Sequence, residues 1–355
     1  MSSVKVITFN LLSPFLCNDT EFIGYKKEHL DKNKRKQKIY EFLTKFVKED
    51  AIICLQELSF NWKGEMELFF QKNNYQFFNM PYGWKGNGFF GIAIAIPQTI
   101  KICKTEYLHI AEHIESQNAE HIFNWEEQQR KIQREERRKK SDSIMDNLMT
   151  YLEEIIVSKE DAIKNIEDII YKAKNRSNFA IKLTLQKIFP PSPETETTNP
   201  ILGNKFIIYN YHMPCTFKEP VIQSMHIDAF KKLMQEHKEI PTIWAGDFNI
   251  TPESTGYNYI TNGELIPTHR IYIPQRSYSL LTLKSCLYQH LKTEPNFTCF
   301  SHTKFGGSFK DTLDYIFTND KVKTVEADRC VLSATKMPND VSPSDHLPIF
   351  AILEL

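Results

Sequence analysis

Several short apolar runs in this chain end in a polar residue that chemistry can use, and this recurrence constrains the fold more than any other feature. The polar residues beside such runs are Asn10, Glu57, His212, Asp247, Asn249, Asp314, Asp345 and His346. A single carboxylate at a strand end is usually a cap or a turn former. Because caps alone do not explain a placement that is repeated so often, we expect these side chains to converge at one edge of a sheet.

Strand-like and helix-like segments alternate along the chain, which is typical of an α/β protein. The strand candidate VKVITFNLL is followed by apolar residues at helical spacing over about 39–47 and then by the buried strand AIICLQEL. Further strand candidates are NKFIIYNYHM, TIWAGDFNI, LDYIFTN, VKTVEADRCVL and LPIFAILEL. An amphipathic helix is predicted over about 221–237, between the first two of these.

The pattern changes between about residues 105 and 200, where charged runs and apolar residues at helical spacing replace the strand-like runs. We predict a helical, charged insertion at 105–200 that interrupts a single domain spanning 1–355, because neither flank has a complete set of strands. The charged run EEQQRKIQREERRKK is typical of a solvated helix face. Contact with a protein partner or a nucleic acid is the alternative.

Composition excludes some classes of protein. Lys plus Arg and Asp plus Glu number 44 each, so no overall field attracts nucleic acid or an anionic membrane, and any polyanion site must be local. No window approaches the roughly 20 apolar residues that a membrane span needs. The seven cysteines show no C-x-x-C spacing, which favours free thiols in a reducing compartment. We expect a monomer in the cytoplasm, with the nucleus as the alternative.

The polar residues at the strand ends are rich in carboxylate and amide oxygens. They include neither paired cysteines nor three histidines at ligand spacing. Oxygen ligands favour a hard cation, so the sequence predicts Mg²⁺ or Mn²⁺ rather than Zn²⁺. Because Mg²⁺ commonly bridges to phosphate oxygens, the predicted substrate is a phosphate ester.

The same residues supply what hydrolysis of a phosphodiester requires. Asp314 would hold His346 in its cationic form, and the imidazolium would donate to a phosphoryl oxygen. Asp247 would orient or deprotonate the attacking water, and Asn249 would add a neutral donor. The alternative for His346 is a core histidine hydrogen-bonded at the start of a strand.

The ordered set FNLLSP, LQEL, YHMP, GDFNITPES, LDYIF and SDHLPI resembles the endonuclease/exonuclease/phosphatase superfamily over residues 4–103 and 203–355. The resemblance implies a four-layer α/β sandwich of two mixed β-sheets flanked by helices. It also implies a metal held chiefly by Glu57, with Asn10 and Asp345 near it.

By the same resemblance, Asp247 matches the aspartate that activates water, and Asn249 matches the asparagine that contacts phosphate. His346 matches the histidine that binds the scissile phosphate, and Asp314 matches the partner that orients it. His212 falls where members carry a histidine or tyrosine that contacts phosphate.

Within the superfamily, GDFNITPESTGYNYITNGEL and LDYIFTND resemble the branch of the deadenylases, nocturnin and the 2′,5′-phosphodiesterases. That branch implies hydrolysis of single-stranded RNA by a 3′-5′ exoribonuclease that uses Mg²⁺, with Mn²⁺ as the alternative. The segment YHMPCTF departs from the usual THL form of those enzymes, and the insertion is a second departure.

Aromatic and basic residues near the expected cleft are candidates for substrate binding, because a flat ring stacks on any base. They are Phe300, Phe305, Lys304 and Trp84. Simple packing is the alternative for the aromatic residues, and a solvated surface position is the alternative for the lysine.

Two functions other than RNA hydrolysis stay open at this point. The same site would serve a phosphatase or phosphodiesterase that acts on a small substrate, such as a dinucleotide, an inositol phosphate or a lipid headgroup. A protein with a degenerate site, whose insertion recruits a partner, belongs to a different class.

Overall fold

The computed structural model describes residues 3–115, 158–191, 200–263, 281–330, 333 and 335–355, together with part of 119–135. Two β-sheets pack face to face, and helices cover the outer face of each. This is the four-layer α/β sandwich of mixed sheets that the sequence predicts, so the fold prediction is confirmed.

The first sheet contains β1 (Ser3–Asn10), β2 (Ile52–Leu58), β3 (Tyr75–Pro81), β4 (Gly91–Pro97), β13 (Lys323–Arg329) and β14 (Ile349–Glu354). Its strand order is β13-β14-β1-β2-β4-β3. The β1–β2 pair is parallel and the other pairs are antiparallel. The first and last strands of the chain are therefore neighbours in this sheet.

The second sheet contains β5 (Ile100–His109), β6 (Phe179–Phe189), β7 (Ile201–His212), β8 (Thr242–Asp247), β9 (Lys284–Ser285) and β12 (Asp314–Thr318). Its order is β5-β6-β7-β8-β12-β9, and only the β7–β8 pair is parallel among these described strands. A separate hairpin is formed by β10 (Cys299–Thr303) and β11 (Gly307–Asp311).

The helices are α1 (Lys27–Leu30), α2 (Lys32–Val47), α3 (Phe60–Lys72), α4 (Lys159–Lys174), α5 (Pro220–Gln235), α6 (Thr255–Thr261) and α7 (Cys286–Leu291). Buried residues of α2 and α3, such as Leu43 and Phe70, pack on the first sheet. Ile166 of α4 and Phe230 of α5 belong to the cluster that covers the second sheet. Among the described helices, none is both long and apolar enough to cross a bilayer. The seven cysteines are free thiols.

Side chains in the space between the sheets change from apolar to polar along β1 and β7. On β1 the alternate positions are Val4, Val6, Thr8 and Asn10, and on β7 they are Phe206, Ile208, Asn210 and His212. Because side chains alternate between the two faces of a strand, each series points to the same side. The sandwich therefore has an apolar middle and a polar end.

The predicted bounds of the insertion, 105–200, were wrong. Strand β5 continues to His109, and β6 pairs with both β5 and β7 inside those bounds. Ile181, Leu183 and Leu185 of β6 face the core at a spacing of two, a short signal beside a much longer stretch of helical spacing. Helix α4 accounts for part of the predicted helical segment, and residues 136–157 lie outside the described residues.

Candidate active site

Three polar residues lie side by side where neighbouring strands of the second sheet meet the polar end. Asp247 is the register partner of His212 on β7 and of Asp314 on β12. The preceding residue, Gly246, has no side chain because a Cβ there would lie 1.8 Å from the carbonyl oxygen of Tyr211. Close approach of β7 and β8 thus places His212 beside Asp247.

Asp247 is the central group of the cluster. Its Oδ2 accepts a hydrogen bond from Nδ2 of Asn10 at 2.9 Å. The Nε2 atoms of His212 and His346 lie 3.6 and 3.7 Å from the same oxygen. Asn10 belongs to the first sheet, so this carboxylate joins the polar ends of both sheets.

His346 is held from behind by Asp314. Its Nδ1 donates to Oδ2 of Asp314 at 2.7 Å, and the hydroxyl of Thr298 donates to the same oxygen at 2.6 Å. Burial by itself lowers the pKa of His346, but the carboxylate of Asp314, with Cys299 and Asp247, holds that pKa well above its ordinary value. The ring is therefore an imidazolium at neutral pH, with Nε2–H directed toward Asp247.

His212 has a defined tautomer because of Tyr82. The phenol oxygen of Tyr82 lies 2.7 Å from Nδ1 of His212. Burial raises the pKa of Tyr82 well above its ordinary value, so its hydroxyl stays protonated. The hydroxyl therefore donates a hydrogen bond to Nδ1. In a neutral ring the hydrogen is then on Nε2, which faces Asp247.

Glu57 lies at a β-bulge in β2, where its φ of +54° is unusual for a residue with a side chain. Its Oε2 accepts from the backbone N–H of Ser13 at 2.9 Å, and its Oε1 accepts from Nδ2 of Asn10 at 3.2 Å. Asn10 Oδ1 accepts from the N–H of Leu12 at 2.9 Å. Asn10 thus presents its nitrogen to the carboxylates and organises them, so its role as a metal ligand stays a prediction that requires the amide to turn over.

Asp345 adds a second carboxylate beside Glu57. Burial, and then the negative charge of Glu57, raise the pKa of Asp345 to about 6, whereas His346 and Arg35 act in the opposite direction. A divalent cation would relieve this repulsion, and carboxylate oxygens are the ligands that Mg²⁺ and Mn²⁺ prefer. The donor set therefore fits such an ion, with Glu57 and Asp345 as the residues that would hold it.

Asn249 occupies the left-handed region, at φ +49°, two residues after Asp247. Its backbone N–H donates to Oδ1 of Asp247 at 3.0 Å, and its Nδ2 donates to the carbonyl oxygen of Met213 at 2.9 Å. Gln223 of α5 donates to its carbonyl oxygen at 2.6 Å. One amide hydrogen of Asn249 is thus used by the protein, and contact of its side chain with a phosphate oxygen stays a prediction.

Residues that we did not predict hold the loops of the site in place. Arg35 of α2 is buried and donates to the carbonyl oxygens of Leu11, Leu12 and Pro343 at 2.7, 2.6 and 2.5 Å. It joins the segment after Asn10 to the segment before Asp345. Arg35 lies in a charged helical run, where the sequence gives no indication of such a role. Thr298 lies 16 residues before Asp314, too far along the chain for a local pattern to indicate their hydrogen bond.

The candidate substrate-binding residues occupy different positions. The backbone N–H of Phe300 donates to the carbonyl oxygen of Asp345 at 2.9 Å, which places Phe300 beside the cluster. Phe305 is 81% exposed at the tip of the β10–β11 hairpin, with the ammonium of Lys304 5.3 Å from its ring centre. Trp84 is 70% exposed, two residues after Tyr82. Within the described residues, no hydrogen bond links the side chains of Phe305, Lys304 and Trp84 to the cluster. Their roles in substrate binding stay predictions.

Comparison with known proteins agrees with this fold. Residues 177–346 match the Endonuclease/Exonuclease/phosphatase family. Over 215 residues the chain is 28% identical to the CCR4-Not complex 3'-5'-exoribonuclease subunit Ccr4 of Saccharomyces cerevisiae, a match that covers 55% of this chain and 24% of Ccr4. The chain thus spans about a quarter of the length of that relative.

Two solved structures share the fold. The human nocturnin catalytic domain with a bound sulfate anion has a TM-score of 0.58 at 18% identity, covering 99% of this chain and 93% of that one. ANGEL2, a 2',3'-cyclic phosphatase, in complex with adenosine-2',3'-vanadate has a TM-score of 0.63 at 16% identity, covering 99% and 95%.

The match to the endonuclease/exonuclease/phosphatase family thus extends over residues 177–346, slightly less than half of the chain. Proteins similar to the chain include Ccr4 and 2',5'-phosphodiesterase 12 in sequence, and nocturnin and ANGEL2 in fold. The resemblance predicted from the six ordered motifs is therefore confirmed.

Proposed function

We propose that this chain is a Mg²⁺-dependent 3′-5′ exoribonuclease of the deadenylase type. The observation that carries the proposal is the position of Asp247, whose Oδ2 lies 3.7 Å from the imidazolium of His346 and 2.9 Å from the amide of Asn10. A carboxylate beside a cationic donor suits activation of a water molecule opposite a phosphoryl group that the donor holds.

The roles follow from the contacts. His346 would donate from Nε2 to a phosphoryl oxygen as negative charge develops there, while Asp247 orients the water and accepts its proton. His212, through Nε2, and Asn249, through its second amide hydrogen, would hold the remaining oxygens. Mg²⁺ bound by Glu57 and Asp345 would supply neutralisation of charge at the phosphate, with Mn²⁺ as the alternative ion.

Single-stranded RNA is the substrate class that the sequence relative supports, because the matching protein is named as a 3'-5'-exoribonuclease. The exposed rings of Trp84 and Phe305 suit unpaired bases, since stacking contributes about 1–3 kcal/mol per base without reading sequence. Lys304 would add local positive charge that the neutral chain as a whole lacks.

A small phosphorylated substrate is the second candidate. The formal net charge of zero favours it, because enzymes that bind long polyanions generally gain from a basic surface. A dinucleotide, an inositol phosphate or a lipid headgroup would use the same cluster and the same cation.

A substrate panel separates these two functions. Oligoadenylate labelled at its 5′ end, the same RNA blocked by a 3′-phosphate, a 2′,5′-linked oligoadenylate and the small phosphate esters would each be incubated with the protein and Mg²⁺. We expect stepwise shortening of the unblocked oligoadenylate from its 3′ end, with kcat/KM at least about tenfold above that for any small ester. Hydrolysis of a small ester without cleavage of any RNA would overturn the proposal.

We further propose that the chain acts as a monomer with one catalytic domain over 1–355, in the cytoplasm or the nucleus, and that its insertion binds a protein partner. Tyr171 on α4 is 66% exposed and is available for such a contact. Light scattering after gel filtration tests whether the molar mass is that of one chain, 41.6 kDa. A variant with Tyr171→Ser tests the contribution of α4 to partner binding.

A further inference from the structure

A buried polar layer lies directly below the candidate active site. It consists of Thr8, Gln56 and Asn210, each with 0% exposure. Thr8 comes two residues before Asn10, Asn210 comes two before His212, and Gln56 immediately precedes Glu57. These three side chains therefore separate the apolar core of the sandwich from the residues of the site.

Asn210 spans the space between the two sheets. Its Nδ2 donates to the carbonyl oxygens of Leu55 and Ala93, at 3.0 and 2.8 Å. Its Oδ1 accepts from Nε2 of Gln56 at 2.7 Å, and Gln56 also donates to the hydroxyl of Thr8 at 2.9 Å. A residue of β7, in the second sheet, is thus bonded three times to strands of the first sheet.

The two carbonyl groups that Asn210 binds mark the point where a strand ladder is interrupted. Leu55 of β2 pairs with Ala93 of β4, and the next pair is Leu58 with Gly91. Three steps along β2 therefore oppose two steps along β4, which is the arrangement of a β-bulge. Glu57 lies within this bulge at φ +54°. A residue with a side chain keeps such a conformation only where the surrounding structure enforces it.

We propose that Asn210 is a positioning residue for Glu57. Its Nδ2 donates to the two carbonyl groups at the edge of the bulge, and its Oδ1 accepts from Gln56, the residue before Glu57. These bonds hold the carboxylate of Glu57 in the orientation that a divalent cation needs. Because Asn210 shares β7 with His212, the same bonds set the distance between the metal-binding and phosphate-binding sides of the site. This inference rests on the proposed function, in which Glu57 holds the cation.

The structure offers a matched control for a purely structural role. Asn319 is also a buried asparagine, next to the second sheet, with 3% exposure. Its Nδ2 donates to the carbonyl oxygens of Lys238 and Ile240 at 3.2 and 2.8 Å, and its Oδ1 accepts from the N–H of Thr242 at 3.1 Å. It lies just beyond the end of β12 opposite to Asp314, away from the cluster.

The test compares Asn210→Asp with Asn319→Asp, because each change keeps the shape of the side chain and removes its amide donors. Mn²⁺ alone is the probe, and its affinity is measured by calorimetry in the absence of substrate. We expect Asn210→Asp to weaken Mn²⁺ binding about tenfold or more, as for residues that orient metal ligands, and to lower kcat more than it raises KM. Asn319→Asp should lower the melting temperature to a similar degree and leave Mn²⁺ affinity within about twofold of wild type.

A double-mutant cycle with Glu57→Gln tests the mechanism. If Asn210 acts through Glu57, Asn210→Asp has little further effect on Mn²⁺ affinity once Glu57 is replaced. Equal Mn²⁺ affinities for Asn210→Asp and Asn319→Asp, or full additivity in the cycle, would overturn the proposal. Should Asn210→Asp fail to fold, Gln56→Met removes the donor to Asn210 Oδ1, and an Mn²⁺ affinity equal to wild type in that variant would also overturn it.

Different results would contradict the metal site and the positioning role of Asn210. If Glu57→Gln leaves Mn²⁺ affinity unchanged, the assignment of the metal site in the proposed function is wrong. If Glu57→Gln weakens Mn²⁺ binding and Asn210→Asp does not, only the positioning role of Asn210 is wrong.

Discussion

Asp314 bonds Nδ1 of His346 at 2.7 Å from a completely buried position, while Nε2 of the same ring lies 3.7 Å from Asp247. One imidazole is thus set between a carboxylate that fixes its charge and a carboxylate suited to accept a proton from water. This arrangement gives different expected outcomes for the two aspartates.

Replacing Asp314 with Asn removes the charge that keeps His346 protonated. We expect kcat to fall by about 100-fold or more, the usual loss for a donor to developing charge, with little change in KM. Because Asp314 raises the pKa of His346, the variant ring should lose its proton at lower pH than the wild-type ring does. A kcat–pH profile should therefore show its alkaline descent moved to lower pH.

The control for that profile is Asp340→Asn, since Asp340 pairs with His29 on the exposed surface at 2.9 Å. Its profile should coincide with that of the wild type. An alkaline descent unchanged in Asp314→Asn would remove His346 as the cationic donor.

Replacing Glu57 with Gln removes a charged oxygen ligand and keeps the hydrogen-bonding shape. The wild-type melting temperature should rise on addition of Mn²⁺, because a ligand that binds only the folded state stabilises it. We expect this rise to be much smaller in Glu57→Gln and to persist in Glu65→Gln, whose carboxylate pairs with Lys36 on the surface. A normal rise in Glu57→Gln would contradict the metal assignment.

Asp345→Asn should stabilise the metal-free protein. The folded state raises the pKa of Asp345 from 3.8 to about 6, so the folded state binds the proton more tightly and the stability of metal-free protein falls as pH rises through this range. Because the side chain of Asp345 is partly exposed, solvent screening reduces this effect. The free energy of unfolding of metal-free Asp345→Asn should exceed that of wild type by about 1–2 kcal/mol at pH 7.5.

Urea unfolding in EDTA at pH 7.5 and at low pH measures this gain. The difference in free energy of unfolding between Asp345→Asn and wild type should shrink in acid, because protonated Asp345 is then neutral like the asparagine. A variant that is less stable than wild type at pH 7.5 would show that the carboxylate is not destabilising.

The corrected bounds of the insertion give a further prediction. Replacing residues 136–157 with a short Gly/Ser linker should retain soluble protein and nuclease activity within about threefold, because each strand of the described sheets lies outside that range. Deleting 110–198 would remove β6 from between β5 and β7 and should abolish soluble expression. Equal solubility of the two deletions would contradict the assignment of β6 to the core.

The sequence predicted much of this site because alternation along buried strands is a strong local signal. Val4, Val6, Thr8 and Asn10 occupy alternate positions on β1, so a polar residue after an apolar series marks the end of the same face. Polar residues at six strand boundaries, in the order typical of the family, were enough to predict both the sandwich and the convergence of Glu57, Asp247 and His346.

What the sequence did not predict depends on contacts between distant segments. The bonds from Asn210 to Leu55 and Ala93 join positions 155 and 117 residues apart, and no local pattern encodes them. Strand β6 was missed because its short alternation adjoins a long helical segment. The orientation of the Asn10 amide depends on where Leu12 and Asp247 lie in three dimensions.

The central claim is that groups from both sheets act around one cation to cleave RNA. The most direct measurement is the rate at which 5′-labelled oligoadenylate is shortened by wild type, Asp247→Asn and His346→Ala, each shown by circular dichroism to be folded, in Mg²⁺ and in EDTA. The account predicts loss of a nucleotide at a time in Mg²⁺, no cleavage in EDTA, and rates at least about 100-fold lower in both variants. Cleavage that continues in EDTA, or variants within about tenfold of wild type, would contradict it.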